Sequence, residues 1–285
     1  MIPELKTLVA VARFGTFAAA GERIGLTQAA VSGQMKRLEE RLGTALFERT
    51  GRSAVLNAAG LRTLERAKTI IAMFDHIADP ADDASGGQLR IGAIASVQSA
   101  ILARALAPFR QRFGNTRVRI VPGVSLHLLD LIDAGELDLA VLIEPPFGLP
   151  KNLVWQPLLR EPYALAVPEW LEGDDWRILL REQPFIRYDR GSFGGRQVDR
   201  FLRAHSIEPN EAIEIDDVAG MSALVACGLG VALLPIVDGS PPTAAPVRMV
   251  SLAEETFYRE IGILQSPDRN PAKKHLAECL IDARL

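Results

Sequence analysis

The chain has little cysteine: Cys227 and Cys279 are the two in 285 residues. A disulfide framework is therefore excluded, and a reducing compartment, the cytoplasm, is expected. Its four histidines, His76, His127, His205 and His275, are scattered without metal-ligand spacing, so no metal is expected. No apolar run approaches the roughly 18 residues of a membrane-crossing helix. The N-terminus carries Pro3 and Glu4 in place of a cationic start before an apolar stretch, so no signal peptide is expected. Catalytic and cofactor motifs are also missing. Ser192, in Gly191-Ser192-Phe193-Gly194, misses the Gly-x-Ser-x-Gly spacing of a nucleophile elbow. Cys227-Gly228-Leu229-Gly230 follows a helical pattern and precedes a strand, the reverse of a dinucleotide loop. Its apolar neighbours suggest that Cys227 is an inert buried thiol. The expectation is a protein with no cofactor that is not an enzyme.

The length suits two domains. The net charge is only −3, but it is unevenly spread. Residues 1–58 hold eight basic and five acidic groups, a net of +3, which leaves −6 for the rest. A mildly basic head on an acidic body fits a nucleic-acid-binding module joined to something else. That head reads as short capped helices. Leu5, Leu8, Val9 and Ala12 recur at helical spacing up to Gly15. Thr16 caps a second helix, Phe17 to Ile24, ended by Gly25, and Thr27 caps a third that runs to Leu42 and Gly43. Two capped helices around a short turn have helix-turn-helix geometry. Residues 46–56 then read as two small strands around a Gly51-Arg52 tip. A longer helix over 58–78 places Leu64, Ala67, Ile71, Phe74 and Ala78 on a heptad seam, which predicts pairing with a second copy.

Residues 80–88 are polar and rich in Pro and Gly, and read as a hinge. From Leu89 the pattern alternates strand and helix: strands at 89–93, 118–121 and 137–143, with helices between them. A second set follows, with strands at 163–167, 185–188, 212–215 and 231–234. The chain closes with strands near 247–250 and 258–265 and a helix at 272–283. This order predicts an α/β body with a largely parallel sheet, in two halves around a cleft.

On the third helix Val31, Met35 and Leu38 form an apolar stripe. Gln28, Ala29, Ser32, Gly33 and Lys36 lie opposite. Gln28 suits a base edge and Ala29 a thymine methyl. Thr27 and Ser32 suit phosphate at a helix start. Arg37, Arg49 and Arg52 supply charge for the DNA backbone, and the Gly51-Arg52 tip suits a minor groove.

Here the residues resemble the LysR-type transcriptional regulators. The resemblance rests on Phe17-Ala18-Ala19-Ala20-Gly21-Glu22-Arg23-Ile24, Thr27-Gln28-Ala29-Ala30-Val31-Ser32, Leu46-Phe47-Glu48-Arg49 and Leu56-Asn57-Ala58-Ala59-Gly60. Weaker echoes occur at Gly135-Glu136-Leu137-Asp138-Leu139-Ala140 and Gly228-Leu229-Gly230-Val231-Ala232-Leu233-Leu234-Pro235. The family usually has proline at position 29, arginine at 33 and Thr-Glu at 57–58. Without the arginine at 33, heavier reliance on Lys36, Arg37 and the wing is expected. The resemblance implies a winged helix-turn-helix at 1–58, a linker and dimerisation helix at 59–79, and an effector-binding domain at 89–285. That domain would look like a periplasmic solute-binding protein, with subdomain I over 89–161 and 265–285 and subdomain II over 162–264. The implied partners are double-stranded promoter DNA, a small-molecule effector, further copies of the chain as a homodimer or homotetramer, and RNA polymerase, with no membrane.

In such a body a ligand sits beyond the C-terminal strand ends. After the first strand come Ser96, Val97, Gln98 and Ser99, after the second Ser125, and after a strand of the second half Phe193. The helix start at Ser96 suits an organic anion. In the family the matching segments line the effector pocket, with Ser96 and Ser125 the nearest carry-over. His127 falls near the same cleft. Ligand would alter the angle between subdomains and so the placement of the DNA heads. The alternatives are a regulator whose cleft is filled by side chains and acts without effector, or a small-molecule enzyme carrying a DNA head.

Overall fold

The computed structural model describes residues 1–48, 54–75, 87–237, 247–267 and 270–284. They divide into two units, 1–83 with 133–136, and 84–132 with 137–285.

In the first unit, α1 (Ile2–Phe14), α2 (Phe17–Ile24) and α3 (Gln28–Leu42) follow the expected caps. Thr16 Oγ1 accepts from the Ala19 N–H at 3.1 Å and Thr27 Oγ1 from the Ala30 N–H at 3.2 Å. Gly25 ends α2 at φ 71°, a left-handed conformation that a side chain would strain. At Gly21 a Cβ would sit 2.5 Å from the Leu26 carbonyl oxygen, so the turn closes against α2 only because the side chain is missing. Val31, Met35 and Leu38 are buried with Leu5, Leu8, Val11 and Leu46. Each such side chain contributes roughly 1.5–3 kcal/mol. The wing is described at its base alone, where Phe47 bridges Leu56 and packs edge-on against Phe17.

Helix α4 (Ala58–Asp75) opens on Asn57, whose Oδ1 accepts from the Gly60 N–H at 2.9 Å. Asparagine thus gives the helix a side-chain cap where the family usually has threonine. The seam expected to meet a second copy is mostly consumed internally. Ala67 and Ile71 are buried, and Leu64 packs beside them, in a core shared with α1. The 3–4 spacing suits either partner, and here α1 supplies the apolar surface. Phe74 stays exposed, with Ile70 one turn before it, and Ala78 lies outside the described residues.

The second unit opens with β1 (Gln88–Ala93). A continuous helical stretch follows: α5 (Ala95–Val97), a π-helical segment (Gln98–Leu102) and α6 (Ala103–Arg112). Next come β2 (Arg117–Pro122), α7 (Ser125–Asp133), β3 (Leu139–Ile143) and the long β4 (Val154–Pro168). Then follow α8 (Trp176–Glu182), β5 (Pro184–Tyr188), α9 (Phe193–Ala204), β6 (Asn210–Ile215) and α10 (Val218–Ala226). β7 (Ala232–Pro235), β8 (Val247–Val250), β9 (Tyr258–Gln265) and α11 (Pro271–Asp282) complete the order. The main sheet runs β2-β1-β3-β9-β4-β7, with β8 also on β4.

The sheet is mixed, which corrects the expectation of a largely parallel one. β1 pairs in parallel with β2 and β3, but β9 is antiparallel to β3 and β4, and β4 is antiparallel to β7 and β8. The alternating pattern registered the strand–helix–strand opening. It did not register 154–162, the first half of β4, which pairs with β9 over 258–265. These two strands join two cores. One packs β1, β3, the helical stretch from Ala95 and α11; the other packs the far half of β4 with β5, β7 and α9. Ile261, Ile263 and Leu264 pack in the first core, ahead of the expected boundary at 265.

Candidate DNA-reading helix and effector cleft

The apolar stripe of α3 fixes its rotation about its own axis. Thr27, Gln28, Ala29, Ser32, Lys36 and Arg37 are consequently all exposed. Thr27 Oγ1 accepts the capping bond, which leaves its proton free to donate to a phosphate. Lys36 lies 4.0 Å from Glu40, and Arg37 Nε 3.8 Å from Glu4, both loose surface pairs. The Arg37 guanidinium lies beside Gly33. Arg49 and Arg52, with the wing tip, lie outside the described residues. Gln34, by contrast, faces inward and accepts from the Thr7 hydroxyl, tying α1 to α3.

The predicted cleft residues separate. Ser96 Oγ accepts from Arg259 Nη2 at 3.0 Å. Val97 is 3% exposed and packs in the core of subdomain I. Gln98 turns its amide to the Ala93 carbonyl at 2.7 Å, closing the end of β1. Ser99 is exposed, and its hydroxyl reaches back to the Ala95 carbonyl at 3.4 Å. Ser125 is buried, and its Oγ accepts from the Ile143 N–H at 3.1 Å, so it anchors β3. Phe193 opens α9 but is buried in the core of subdomain I, edge-on to Phe147 at 5.7 Å. Cys227 is exposed just past the end of α10, not buried as its neighbours suggested. No cluster of potential metal ligands occurs among the described residues.

The residues missed in the sequence lie on the two crossing strands. Arg259 faces Glu161 directly across the β4–β9 ladder, and both are buried. Arg259 Nε donates to Glu161 Oε2 at 2.6 Å, while Nη2 reaches Ser96 on subdomain I. Tyr188, at the end of β5, accepts from the same guanidinium. Burial pushes its phenol up to about 12. Burial also raises Tyr163, whose hydroxyl has no hydrogen-bond partner among the described residues. Desolvation acts to lower Arg259, but the Glu161 carboxylate and the neighbouring Tyr163 and Tyr188 together outweigh it and hold the guanidinium charged. Across the cleft, Ser192 caps α9 and Asp217 caps α10. Asp216 between them is half-buried, and burial raises its carboxyl above the usual range. α10 approaches α5 from the opposite subdomain. Arginine at 259 was readable as an inward charge, since it shares its strand face with Ile261 and Ile263.

A capped helix pair with an exposed polar helix, and a two-cored body with buried polar groups between the cores, define a DNA-binding regulator with a ligand domain. Residues 2–61 match the family model "Bacterial regulatory helix-turn-helix protein, lysR family", and residues 82–284 match "LysR substrate binding domain". The chain therefore belongs to the LysR family of transcriptional regulators. It is 31% identical over 276 residues to a "Probable hydrogen peroxide-inducible genes activator" of Streptomyces viridosporus, covering 90% of this chain and 88% of the relative. It is 27% identical to the transcriptional activator IlvY of Salmonella typhimurium, covering 98% and 96%. Among solved structures, full-length OxyR C199D from Pseudomonas aeruginosa superposes with a TM-score of 0.62 at 21% identity, covering 100% and 94%. Full-length CbnR complexed with its target DNA gives 0.58 at 21%, covering 99% of each chain.

Proposed function

We propose that this regulator reads promoter DNA with the N-terminal turn of α3 and binds a carboxylate-bearing small molecule between its two subdomains. Gln28 and Ala29 read base edges, Thr27 and Ser32 hold phosphate, and Lys36, Arg37, Arg49 and Arg52 supply backbone charge. Arg37, beside Gly33, carries the phosphate contact that an arginine at 33 would otherwise make. The observation that carries the effector reading is the contact of Arg259 with Ser96, a buried cation held from the crossing strands against the helix opening of subdomain I. An incoming carboxylate takes hydrogen bonds from Ser96 and the guanidinium, and entry requires Phe193 to withdraw. Because β4 and β9 carry the crossing, a change at Arg259 alters the angle between subdomains directly. Copies associate through α4, with Ile70 and Phe74 as its exposed apolar residues. A DNA-bound dimer then meets two half-sites.

Cys279 is in the core of subdomain I, where burial raises its thiol, and Cys227 lies past α10. The test is DNase footprinting of the DNA upstream of this gene. Paired protected half-sites one or more helical turns apart are expected. A protein that protects no segment at low ionic strength overturns the reading.

A further inference from the structure

We propose that the effector domain carries a second DNA-contacting surface, an arginine strip on α6 and β2 that holds backbone phosphates flanking the half-sites read by α3. This rests on the DNA-reading role of the first unit, and it adds a contact that carries no base specificity.

The sequence sets the strip apart. Residues 84–129 hold six arginines and no aspartate or glutamate. Residues 59–285 carry a net −6, so everything in them outside that stretch stands at −12. The structure then sorts the six. Arg90 pairs with Asp138, and Arg104 lies at the opposite end of α6 from the rest. Arg110, Arg112, Arg117 and Arg119 are exposed, and no carboxylate pairs with them among the described residues. Arg110 Nη1 donates to the Thr116 carbonyl at 2.8 Å, which ties the C-terminal end of α6 to the start of β2. Arg112 in the last turn of α6 and Arg117 at the head of β2 flank that bond. Arg119 follows Arg117 on the same face of the strand.

The chain enters this unit at the same place. The Arg117 N–H donates to the Gly87 carbonyl at 2.8 Å, one residue before β1. A cationic surface at the point of entry is tethered to the DNA-reading head through the preceding chain. That tether raises its effective concentration at DNA the head has already bound. A structural role for the arginines accounts for less. β2 is the edge of the main sheet, and charge on an edge strand prevents pairing with other strands. Charge of either sign serves that purpose, and only the strand needs it. Here the charge is of one sign, extends onto α6 and lacks counter-ions in an otherwise acidic body. Guanidinium groups carried on a helix and a strand match the phosphate row of a duplex, which they hold by charge and bidentate hydrogen bonds without reading a base.

The test uses the full chain and two duplexes, one covering the two half-sites alone and one extended by flanking DNA on both sides. Fluorescence anisotropy across a salt series compares the unaltered chain with two variants. One carries Arg112→Gln, Arg117→Gln and Arg119→Gln, the other Arg112→Lys, Arg117→Lys and Arg119→Lys. The unaltered chain should bind the extended duplex at least about tenfold more tightly, with a salt slope steeper by about 1 for each phosphate held. The glutamine variant should lose that advantage while binding the short duplex as before, and the lysine variant should keep most of it. Equal affinity and slope for the two duplexes, or an advantage that the glutamine variant retains, overturns the strip and leaves the α3 reading standing. Binding of neither duplex by the unaltered chain overturns the DNA reading itself. Sedimentation velocity without DNA covers the other occupant. A glutamine variant that falls to smaller assemblies while its salt slope is unchanged makes the strip a contact between copies, and overturns its DNA role. The comparison of duplexes on the unaltered chain needs no variant to fold.

Discussion

Helix α3 and the cleft use similar groups, hydroxyls, amides and cationic side chains, in opposite states. On α3 the polar face is exposed, and among the described residues Lys36 and Arg37 make loose pairs at 4.0 and 3.8 Å. In the cleft Arg259 is buried and committed to Glu161, Ser96 and Tyr188. The partners explain the difference. DNA brings its own dense charge and water, so its reader is left open and solvated. A small ligand comes and goes, so its receptor must satisfy its buried charges while empty. Substitutions in the head should therefore alter binding with little change in stability, whereas those in the cleft should alter both.

The largest effect expected is that of Arg259→Ala. It strands Glu161 in the interior, and urea unfolding of the effector domain should show a loss of about 3–5 kcal/mol. Replacing both partners by methionine should recover most of it, because the buried carboxylate goes with its cation. If the single variant is as stable as the parent, the contrast between the two regions fails. Next is Thr27→Ala, which removes a cap and should destabilise the head by about 1 kcal/mol in thermal unfolding. Lys36→Ala should stay within about 0.5 kcal/mol, because its pair is exposed and loose. The smallest effect is at Asp216. Burial raises its carboxyl, so the folded chain holds that proton more tightly than the unfolded chain, and the ionised group opposes folding. Asp216→Asn should therefore melt slightly higher at neutral pH. The gain should fade as pH falls through the raised folded value towards the ordinary carboxylate value of 3.8, and be gone below it, where both states of the parent are protonated. Melting curves across that range that show a constant difference would refute the assignment.

The head was legible because its determinants are local. Thr16, Thr27 and the glycines after each helix act within one turn, and Val31, Met35 and Leu38 set the rotation of α3 by periodicity alone. The α/β body was legible in its strand–helix–strand opening but not in the contacts around Ser96. Ser96 follows β1 in sequence, whereas its partner Arg259 is 163 residues away. Glu161 and Arg259 are joined by a strand pairing that no helix announces. Ser125 and Phe193 were found at the right strand ends, but their bonding partners, Ile143 and the core of subdomain I, depend on packing. The α4 seam shows the limit of periodicity, which identifies an apolar stripe without naming what covers it.

The central claim is that the first turn of α3 lies against base edges. Fluorescence anisotropy with duplexes of the footprinted segment, altered one base pair at a time, tests it by comparing the unaltered protein with Gln28→Ala. The account predicts that the variant loses roughly 1–3 kcal/mol of discrimination at a single base pair and keeps its salt dependence. Uniform weakening across all duplexes, or no change at any of them, would contradict it.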